Sequence, residues 1–238
     1  SWGNGINNGF HDLLPYDASM ATDGTVVMGL QDNGSAVIRP SDGKQIMAYG
    51  GDGFFVAIDP DNANVFYCMA NGSLTVTTDG GKSTSDAGSP AAPAFLPSAF
   101  VMDPTNAKHL VIGDSSVYET TKGQGSGSSD WVSVFTNPDS KAMTAVDTYG
   151  SAVYESYCAL CASSVKAAIT ATDRGVATNV KPGCTPKTGT ASCWHVAALK
   201  GMPSRQIQAL AIDPAKTSNL YILFNKVAKP PTITTIAA

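Results

Sequence analysis

The chain has 238 residues, 14% of them charged, and carries a formal net charge of −4 at pH 7. No cluster of Lys and Arg provides the positive surface that nucleic acids or anionic membranes require, which excludes both as predicted partners. No apolar run approaches the roughly 18 residues of a membrane-spanning helix, so we predict no membrane insertion. Gly and Pro, with 23 and 14 residues, are spread along the chain, as in proteins with many short strands joined by tight turns.

A strand–turn–strand unit recurs along the chain. Its turns begin at Asp59-Pro60 and Asp103-Pro104, and Asp147 follows at the same spacing of 44 residues. A further copy begins at Asp213-Pro214, and the longer gap before it indicates an insertion, which we place between residues 179 and 192. Asp at a turn start predicts a bond from its side chain to the N–H two residues later, while Pro fixes φ.

The size of the unit indicates the fold. A shortened copy, Met20–Gly24 followed by Thr25–Gly29, precedes the others, and Asn33-Gly34 and Asn71-Gly72 predict hairpins between β-rich runs. Units of about 40 to 45 residues with roughly four strands have the size of propeller blades. We therefore predict an all-β fold, a β-propeller of four-stranded blades in a single domain, with units of about 12–52, 53–96, 97–140, 141–204 and 205–238 plus 1–11.

Five cysteines are present. Cys184 and Cys193 bracket a loop of Thr, Pro, Lys and Gly with little core of its own, and we predict a disulfide between them. Cys158 and Cys161 have CxxC spacing, but no second CxxC follows, so a disulfide or two free thiols is favoured over a zinc half-site or redox pair. Cys68 lies in an apolar run and is expected to be buried as a small hydrophobic residue.

One segment, Thr77-Thr78-Asp79-Gly80-Gly81-Lys82-Ser83, resembles the Asp-box, the S/T-x-D-x-G-x-S/T-W hairpin motif of sialidases, sortilin-like domains and bacterial BNR-repeat propellers. Thr84 stands where the motif has Trp. Residues 171–175 resemble a second, degenerate box, with Trp194 arriving late after the insertion. In that family the box stabilises a hairpin away from the central pocket, which implies structural roles for Thr77, Asp79, Gly81, Ser83, Asp173 and Gly175.

The resemblance covers most of residues 12 to 226. Gly29–Gly34 and Gly50–Gly53 look like loops of a secreted bacterial subgroup labelled glycosyl hydrolase. About five blades are visible, fewer than such relatives usually have, so a piece of a larger propeller is as well supported as a ring closed by both termini. A true sialidase is not expected, because its arginine triad would need Arg39, Arg174 and Arg205, the only arginines, and one of them lies inside the degenerate box.

Asp32 and Asp52 are the candidate catalytic residues. A glycosidase needs two carboxylates, about 5.5 Å apart for retention or up to about 9.5 Å for inversion. Both aspartates lie in Gly-rich loops, which would converge on the axial pocket of a propeller. The alternative is that both only cap their own turns. The candidate substrate-binding residues, whose aromatic members would stack on sugar rings unless they pack in the core, are Gln31, Asn33, Tyr49, Phe54 and Trp194.

Two functions remain open at this point. The first is a secreted, extracellular carbohydrate-active propeller, either a glycoside hydrolase or a glycan-binding protein. The second is a non-catalytic sortilin-like scaffold that presents its loops to a protein partner. His11 and His195 lack the spacing of a metal site, so no metal or cofactor is predicted. The first residue is Ser rather than Met, which is consistent with a processed or truncated chain from which a signal peptide has been removed.

Overall fold

A computed structural model describes residues 14–41, 43, 45–70, 73–90, 99–158, 173–203, 205–224 and 234–237. The predicted all-β propeller arrangement is confirmed, with four antiparallel sheets of four strands each. These ranges also contain one three-stranded sheet and three single-turn 3-10 helices, Gly123–Gly125, Ser128–Asp130 and Pro138–Ser140. Within the same ranges, no helix is long and apolar enough to cross a membrane.

The strands follow chain order within every sheet. Sheet 1 contains β1 (Pro15–Met20), β2 (Val26–Leu30), β3 (Gly34–Ile38) and β4 (Gln45–Tyr49). Sheet 2 contains β5 (Val56–Ile58), β6 (Phe66–Ala70), β7 (Ser73–Thr77) and β8 (Ser85–Asp86). Sheet 3 contains β9 (Ala99–Asp103), β10 (Asn106–Gly113), β11 (Ser116–Thr120) and β12 (Val132–Thr136).

Sheets 4 and 5 complete the described architecture. Sheet 4 contains β13 (Ala142–Tyr149), β14 (Ala152–Cys158), β15 (Arg174–Thr178) and β16 (His195–Val196). Sheet 5 contains β17 (Ile207–Ile212), β18 (Asn219–Phe224) and β19 (Thr234–Ala237). Completion of a fifth blade by residues 1–11 stays a prediction, because residues 1–13 lie outside the described ranges, as does the expected turn at Asn71-Gly72.

Apolar side chains fill the spaces between successive sheets. Sheets 2 and 3 share a core that includes Tyr67, Leu74, Phe100 and Leu110, all 2% exposed or less. Similar clusters join sheets 1 and 2, sheets 3 and 4, and sheets 4 and 5. The inner sheets are thus covered on both sides, which explains why β14 is buried at every position.

Side chains hydrogen-bond the first strands of two pairs of neighbouring sheets to each other. Asp17 Oδ2 in β1 accepts the N–H of Val56 in β5 at 3.0 Å. Asp147 Oδ2 in β13 accepts the N–H of Ile212 in β17 at 2.7 Å. Burial outweighs these bonds and raises the pKa of both carboxyl groups. The two aspartates line one axial cavity of about 290 Å³.

The repeated turn aspartates mostly behave as predicted. Asp59, Asp103 and Asp213 each accept the N–H two residues later, at 2.8 to 2.9 Å. Asp147 differs, because no Pro follows it and its carboxylate accepts the N–H of Thr148 and the N–H of the neighbouring sheet instead.

The cysteine predictions can be compared with the structure directly. Cys184 and Cys193 form the predicted disulfide, with a Cα–Cα distance of 5.8 Å, in the long connection between β15 and β16. Cys68 is a buried free thiol, as predicted, and burial raises its pKa to about 11. Cys158 is also disulfide-bonded, while Cys161 lies outside the described residues. A disulfide is compatible with an extracellular protein.

His109 is a fully buried residue held between two carboxylates. Its Nδ1 lies 3.2 Å from Asp103 Oδ2, and its Nε2 lies 3.2 Å from Glu119 Oε2. Burial alone lowers the pKa of His109, but the hydrogen bonds and charges of the two carboxylates outweigh it and raise the pKa to about 9. Glu119 Oε2 also accepts the N–H of Gly189, at 2.6 Å, and so connects the disulfide loop to sheet 3.

The raised pKa of His109 predicts that stability decreases at alkaline pH. The folded protein holds the His109 proton more tightly than the unfolded chain, so we expect the melting temperature to fall as pH rises from 6.5 to about 9. His109→Gln removes this titration. The variant should have a lower melting temperature than the wild type at pH 6, and its melting temperature should change less between pH 6.5 and about 9. Circular dichroism melts at several pH values provide the measurement. If the melting temperature changed equally with pH in the two proteins, the folded protein would not hold this proton more tightly than the unfolded chain.

Glu155 is buried in β14, and no cation pairs with it among the described residues. Among these residues no donor reaches either carboxyl oxygen within hydrogen-bond distance, and the side-chain oxygen of Asn137 likewise has no donor. The Asn137 amide nitrogen donates to the Lys141 carbonyl at 2.9 Å. Burial raises the pKa of Glu155 well above its usual value, and the interaction with the Asn137 side chain opposes this shift only in part. Burial therefore favours the protonated, neutral form of Glu155, which can donate to Asn137 Oδ1.

Replacement of Glu155 by Gln should therefore stabilise the protein at pH 7. The unfolded chain releases the Glu155 proton above pH 4.5 while the folded state keeps it, and this difference costs the wild type stability as pH rises. Glu155→Gln can still donate to Asn137 and has no such cost. Urea unfolding at pH 4 and pH 7 tests this. The free energy of unfolding of the variant should be close to that of the wild type at pH 4 and higher than it at pH 7. A less stable variant at pH 7 would contradict a neutral Glu155.

Candidate functional site

The strand order gives the propeller two distinct faces. Strands alternate in direction, so the turn between the second and third strands lies at the same end of a sheet as the connection to the next sheet. We call this end the Asp32 face, because Asp32 lies between β2 and β3 and Asp52 lies between β4 and β5. The other two turns lie at the opposite end, which we call the Asp79 face after the residue that follows β7.

Asp32 and Asp52 are brought together on the Asp32 face. The N–H of Asp32 donates to Asp52 Oδ1 at 2.7 Å. Two backbone bonds join the same loops, from Gly34 N–H to the Gly51 carbonyl at 2.5 Å and from Gly53 N–H to the Leu30 carbonyl at 2.9 Å. The two loops therefore meet at one end of sheet 1, whereas their convergence on the axial pocket stays a prediction.

Glycine is required where the two loops touch. A Cβ on Gly34, which has a φ of +66°, would collide with the Tyr49 carbonyl, and a Cβ on Gly53 would collide with the Gly34 carbonyl. Asp32 itself has a φ of +56°, a left-handed conformation that Asp and Asn tolerate better than most residues. The close approach of the loops thus explains the Gly-rich sequence around both aspartates.

The two carboxyl groups differ in their surroundings. Asp52 is half-buried and its carboxylate is engaged by the Asp32 N–H. Asp32 is exposed, and no hydrogen bond to its carboxylate occurs within the described part of the chain. The N–H of Asp32 binds the Asp52 carboxylate, and the carboxyl group of Asp32 is only three covalent bonds from that same nitrogen. The two carboxyl carbons therefore lie at most roughly 8 Å apart.

An aromatic pair, with Tyr16 exposed and Phe54 half-buried, lies beside the loops that carry the two aspartates. The rings of Tyr16, at the start of β1, and Phe54 have centroids 5.2 Å apart, and Tyr16 is 54% exposed. The N–H of Gln31 donates to the Leu14 carbonyl at 3.0 Å, which holds the segment before β1 against the Asp32 turn. Sequence reasoning singled out Phe54 and missed Tyr16, which lies in a strand and has no Gly-rich loop of its own.

The other candidate binding residues occupy different environments. Gln31 and Asn33 are exposed in the Asp32 turn, where the Asn33 amide donates to the Gln31 carbonyl at 2.9 Å. Tyr49 is half-buried against the core between sheets 1 and 2. Trp194 is not part of this group, because it lies just before β16 in sheet 4 and stacks on Phe135 with a centroid distance of 5.4 Å.

On the opposite face, Asp79 organises a closed turn. Its Oδ1 accepts the N–H groups of Lys82 and Ser83 at 3.0 Å, and its Oδ2 accepts the Ser83 hydroxyl at 2.6 Å. Thr77 completes the turn, donating its hydroxyl to Asp79 at 2.8 Å and accepting the N–H of Gly81 at 3.0 Å. These bonds, the one from the Ser83 hydroxyl first, lower the pKa of Asp79 well below its usual value. The carboxylate is fully occupied by the turn.

The segment around Asp173 differs from this turn. Asp79 follows the third strand of its sheet, whereas Asp173 precedes the third strand, β15. Gly175 lies inside β15 opposite Tyr157, whose hydroxyl leaves no space for a Cβ there. Gly175 is therefore selected by strand packing, and the two segments occupy opposite ends of corresponding strands. The described residues contain no group of three or more His, Cys, Asp or Glu side chains that could hold a metal ion.

The Asp52 carboxylate should contribute to stability through its hydrogen bond. We expect Asp52→Ala to lower the melting temperature, because the N–H of Asp32 loses its acceptor at a backbone with positive φ. Asp52→Asn keeps an acceptor oxygen and should melt close to the wild type. Differential scanning fluorimetry of the two variants at pH 7 provides the comparison. Equal losses in both variants would show that the charge of Asp52, rather than its hydrogen bond, stabilises the loops.

Comparison with known proteins places the fold. No family model matches the sequence, and no match was found among curated proteins. The GH74 enzyme of Niastella koreensis aligns over 88% of this chain and 33% of its own length, with 14% identity and a TM-score of 0.63. The GH74 xyloglucanase from Xanthomonas campestris aligns over 94% of this chain and 37% of its own, with 14% identity and a TM-score of 0.62. The chain thus spans about a third of the length of these enzymes, and the likeness at this identity is one of fold.

Proposed function

We propose that the protein is a carbohydrate-active propeller that binds a glycan on the Asp32 face of sheet 1. The observation that carries the proposal is the hydrogen bond from Asp32 to Asp52, which brings two acidic loops together beside the Tyr16–Phe54 pair. Flat apolar rings next to carboxylate and amide groups suit a sugar, whose faces are apolar and whose edges carry hydroxyls. The fold shared with two GH74 enzymes supports this proposal.

Each group has a role in binding. Tyr16 is the more exposed of the two rings and would stack on the C–H face of a sugar unit. The Asp32 carboxylate accepts hydrogen bonds from sugar hydroxyls, since no protein donor within the described ranges occupies it. Gln31 and Asn33, both exposed in the same turn, offer further donors and acceptors along the chain of a polysaccharide.

The proposal includes hydrolysis of the bound glycan by Asp32 and Asp52. Glycosidases place two carboxyl groups about 5 to 9.5 Å apart on either side of the scissile bond, and the upper limit of roughly 8 Å set by the Asp32–Asp52 bond is compatible with such a separation. One carboxyl group protonates the leaving oxygen, and the other acts as the nucleophile or as the base that activates water. A protein that binds the glycan without hydrolysing it would need only the binding groups, which are Tyr16, Gln31, Asp32 and Asn33.

The finer family assignment also belongs to this proposal. The bonds of the Asp79 turn support its identity as an Asp-box, and the spacing of the sheets supports a BNR-type propeller in which sheet 5 belongs to a fifth blade. The Cys184–Cys193 disulfide supports secretion. A glycan, rather than the protein partner of a non-catalytic scaffold, is the favoured ligand of the Asp32 face.

Binding and hydrolysis can be tested on one panel of soluble polysaccharides that contains xyloglucan, mixed-linkage glucan, xylan and galactomannan. We expect affinity electrophoresis to show retardation by at least one of them, and Tyr16→Ala to weaken it about five- to tenfold through loss of ring stacking. Tyr221→Ala is the matched control, because Tyr221 is also an exposed strand tyrosine, 41% exposed, but lies in sheet 5. Equal effects of the two substitutions would place binding elsewhere.

Reducing-end release on the same panel separates an enzyme from a binding protein. Asn tolerates the positive φ at position 32, and Asp52→Asn keeps an acceptor oxygen for the Asp32 N–H, so both variants should fold and bind the polysaccharide. The rate of hydrolysis should fall at least 100-fold in each, on the order expected for a lost general acid or base. Turnover that survives in both variants would exclude the pair as catalytic. If no polysaccharide is retarded at all, the glycan proposal fails and the alternative of a protein-binding scaffold replaces it.

A further inference from the structure

A second candidate site lies on the Asp79 face, away from Asp32. A cleft of about 690 Å³ opens between sheets 2 and 3, a volume in the range of small-molecule binding pockets. One wall is the turn between β5 and β6, with Asp59, Asp61 and Asn62. The other wall comes from sheet 3 and carries Lys108, Lys122 and Gln124.

The wall of the cleft contains a buried hydroxyl without a partner. Tyr67 lines the cleft, and its side chain is otherwise enclosed by the core of sheets 2 and 3, with no exposed surface. Its hydroxyl makes no hydrogen bond to any residue that the structure describes. Burial, followed by the charge of Asp59, raises the pKa of Tyr67, so the hydroxyl stays protonated and is available as a donor. A buried donor left unpaired destabilises the protein, which points to a ligand that accepts from it.

The charges of the cleft are also unpaired. Within the described ranges, neither the Lys108 nor the Lys122 ammonium group forms an ion pair or a hydrogen bond, and both side chains are exposed. Asp61 on the facing wall likewise has no cation within ion-pair distance among these residues. The cleft therefore offers two cations and the Gln124 amide on one wall, and two carboxylates with the Asn62 amide on the other.

We propose that this cleft binds an acidic sugar, the uronic acid unit of a glycan. The sugar carboxylate binds Lys108 and Lys122, and its hydroxyls donate to the Asp59 and Asp61 carboxylates. Tyr67 donates its hydroxyl to an oxygen of the sugar. This site is independent of the proposed function, because it lies on the opposite face of the propeller. It also recognises a negative charge on the sugar, which binding at the Asp32 face does not require.

Other small ligands match the cleft less well. An inorganic anion would use the two lysines but would leave the carboxylate wall unpaired and repelling it. An apolar ligand would find little more than Val65 and Ala107 among the lining side chains. Hydroxyl groups both donate and accept, so a sugar can satisfy carboxylates, amides and the tyrosine together. A zwitterionic peptide shares part of this chemistry and serves as a competitor in the test.

Isothermal titration calorimetry with trigalacturonate at low ionic strength tests the site. We expect binding that weakens with added salt and that falls at least tenfold in the double variant Lys108→Met, Lys122→Met, through loss of charge-assisted hydrogen bonds. Tyr67→Phe should weaken binding about fivefold without lowering the melting temperature, because the deleted hydroxyl has no partner in the free protein. Lys216→Met, in the corresponding turn of sheet 5, is the matched control and should bind like the wild type.

Several results would overturn the assignment. Absence of trigalacturonate binding, or binding unchanged by the double lysine substitution or by Tyr67→Phe, excludes the cleft as the site. Tighter binding of cellotriose or glycylglycine than of trigalacturonate excludes an acidic sugar as its ligand. Tyr16→Ala should leave trigalacturonate binding unchanged, so failure of the Asp32 face to bind polysaccharides would not be confused with failure of this cleft.

Discussion

The propeller depends on how the first strands of neighbouring sheets satisfy their free backbone groups. Each first strand is paired on one side by the second strand of its own sheet and is open on the other, where an unpaired N–H would be buried. Side-chain carboxylates fill this need, from Asp17 to Val56, from Asp103 to Gly150 and from Asp147 to Ile212. These bonds join sheet 1 to sheet 2, sheet 3 to sheet 4 and sheet 4 to sheet 5, while the apolar clusters between successive sheets supply the burial that stabilises the arrangement.

Because the axial carboxylates accept these backbone bonds, the candidate binding groups lie in the loops at the two faces. On the Asp32 face, glycines allow two loops to touch and to place an exposed carboxylate beside the exposed ring of Tyr16 and the half-buried ring of Phe54. On the Asp79 face, the cleft between sheets 2 and 3 retains unpaired lysines and a buried hydroxyl without a partner. The rigid sheets hold both sets of loops in position, and the loops can therefore vary without disturbing the fold.

Buried ionisable groups here serve structure in two opposite ways. His109 is stabilised as a cation by two carboxylates and joins sheet 3, through Glu119, to the disulfide loop. Glu155 has no cation beside it among the described residues, and burial favours its neutral form by raising its pKa. A sequence contains no sign of this difference, because each outcome depends on which side chains a neighbouring sheet brings within hydrogen-bond distance.

Local patterns in the sequence determined the strands, the Asp-Pro turns, the propeller repeat and the Cys184–Cys193 disulfide, because each rests on residues close together in the chain. They also indicated Asp32, Asp52 and Phe54. The sequence could not indicate that Tyr16 joins them, that Trp194 stacks in sheet 4, or that Asp173 precedes its strand instead of following it. Those facts, and the cleft around Tyr67, were decided only by the tertiary structure, since packing between sheets joins residues that the sequence separates by a whole repeat.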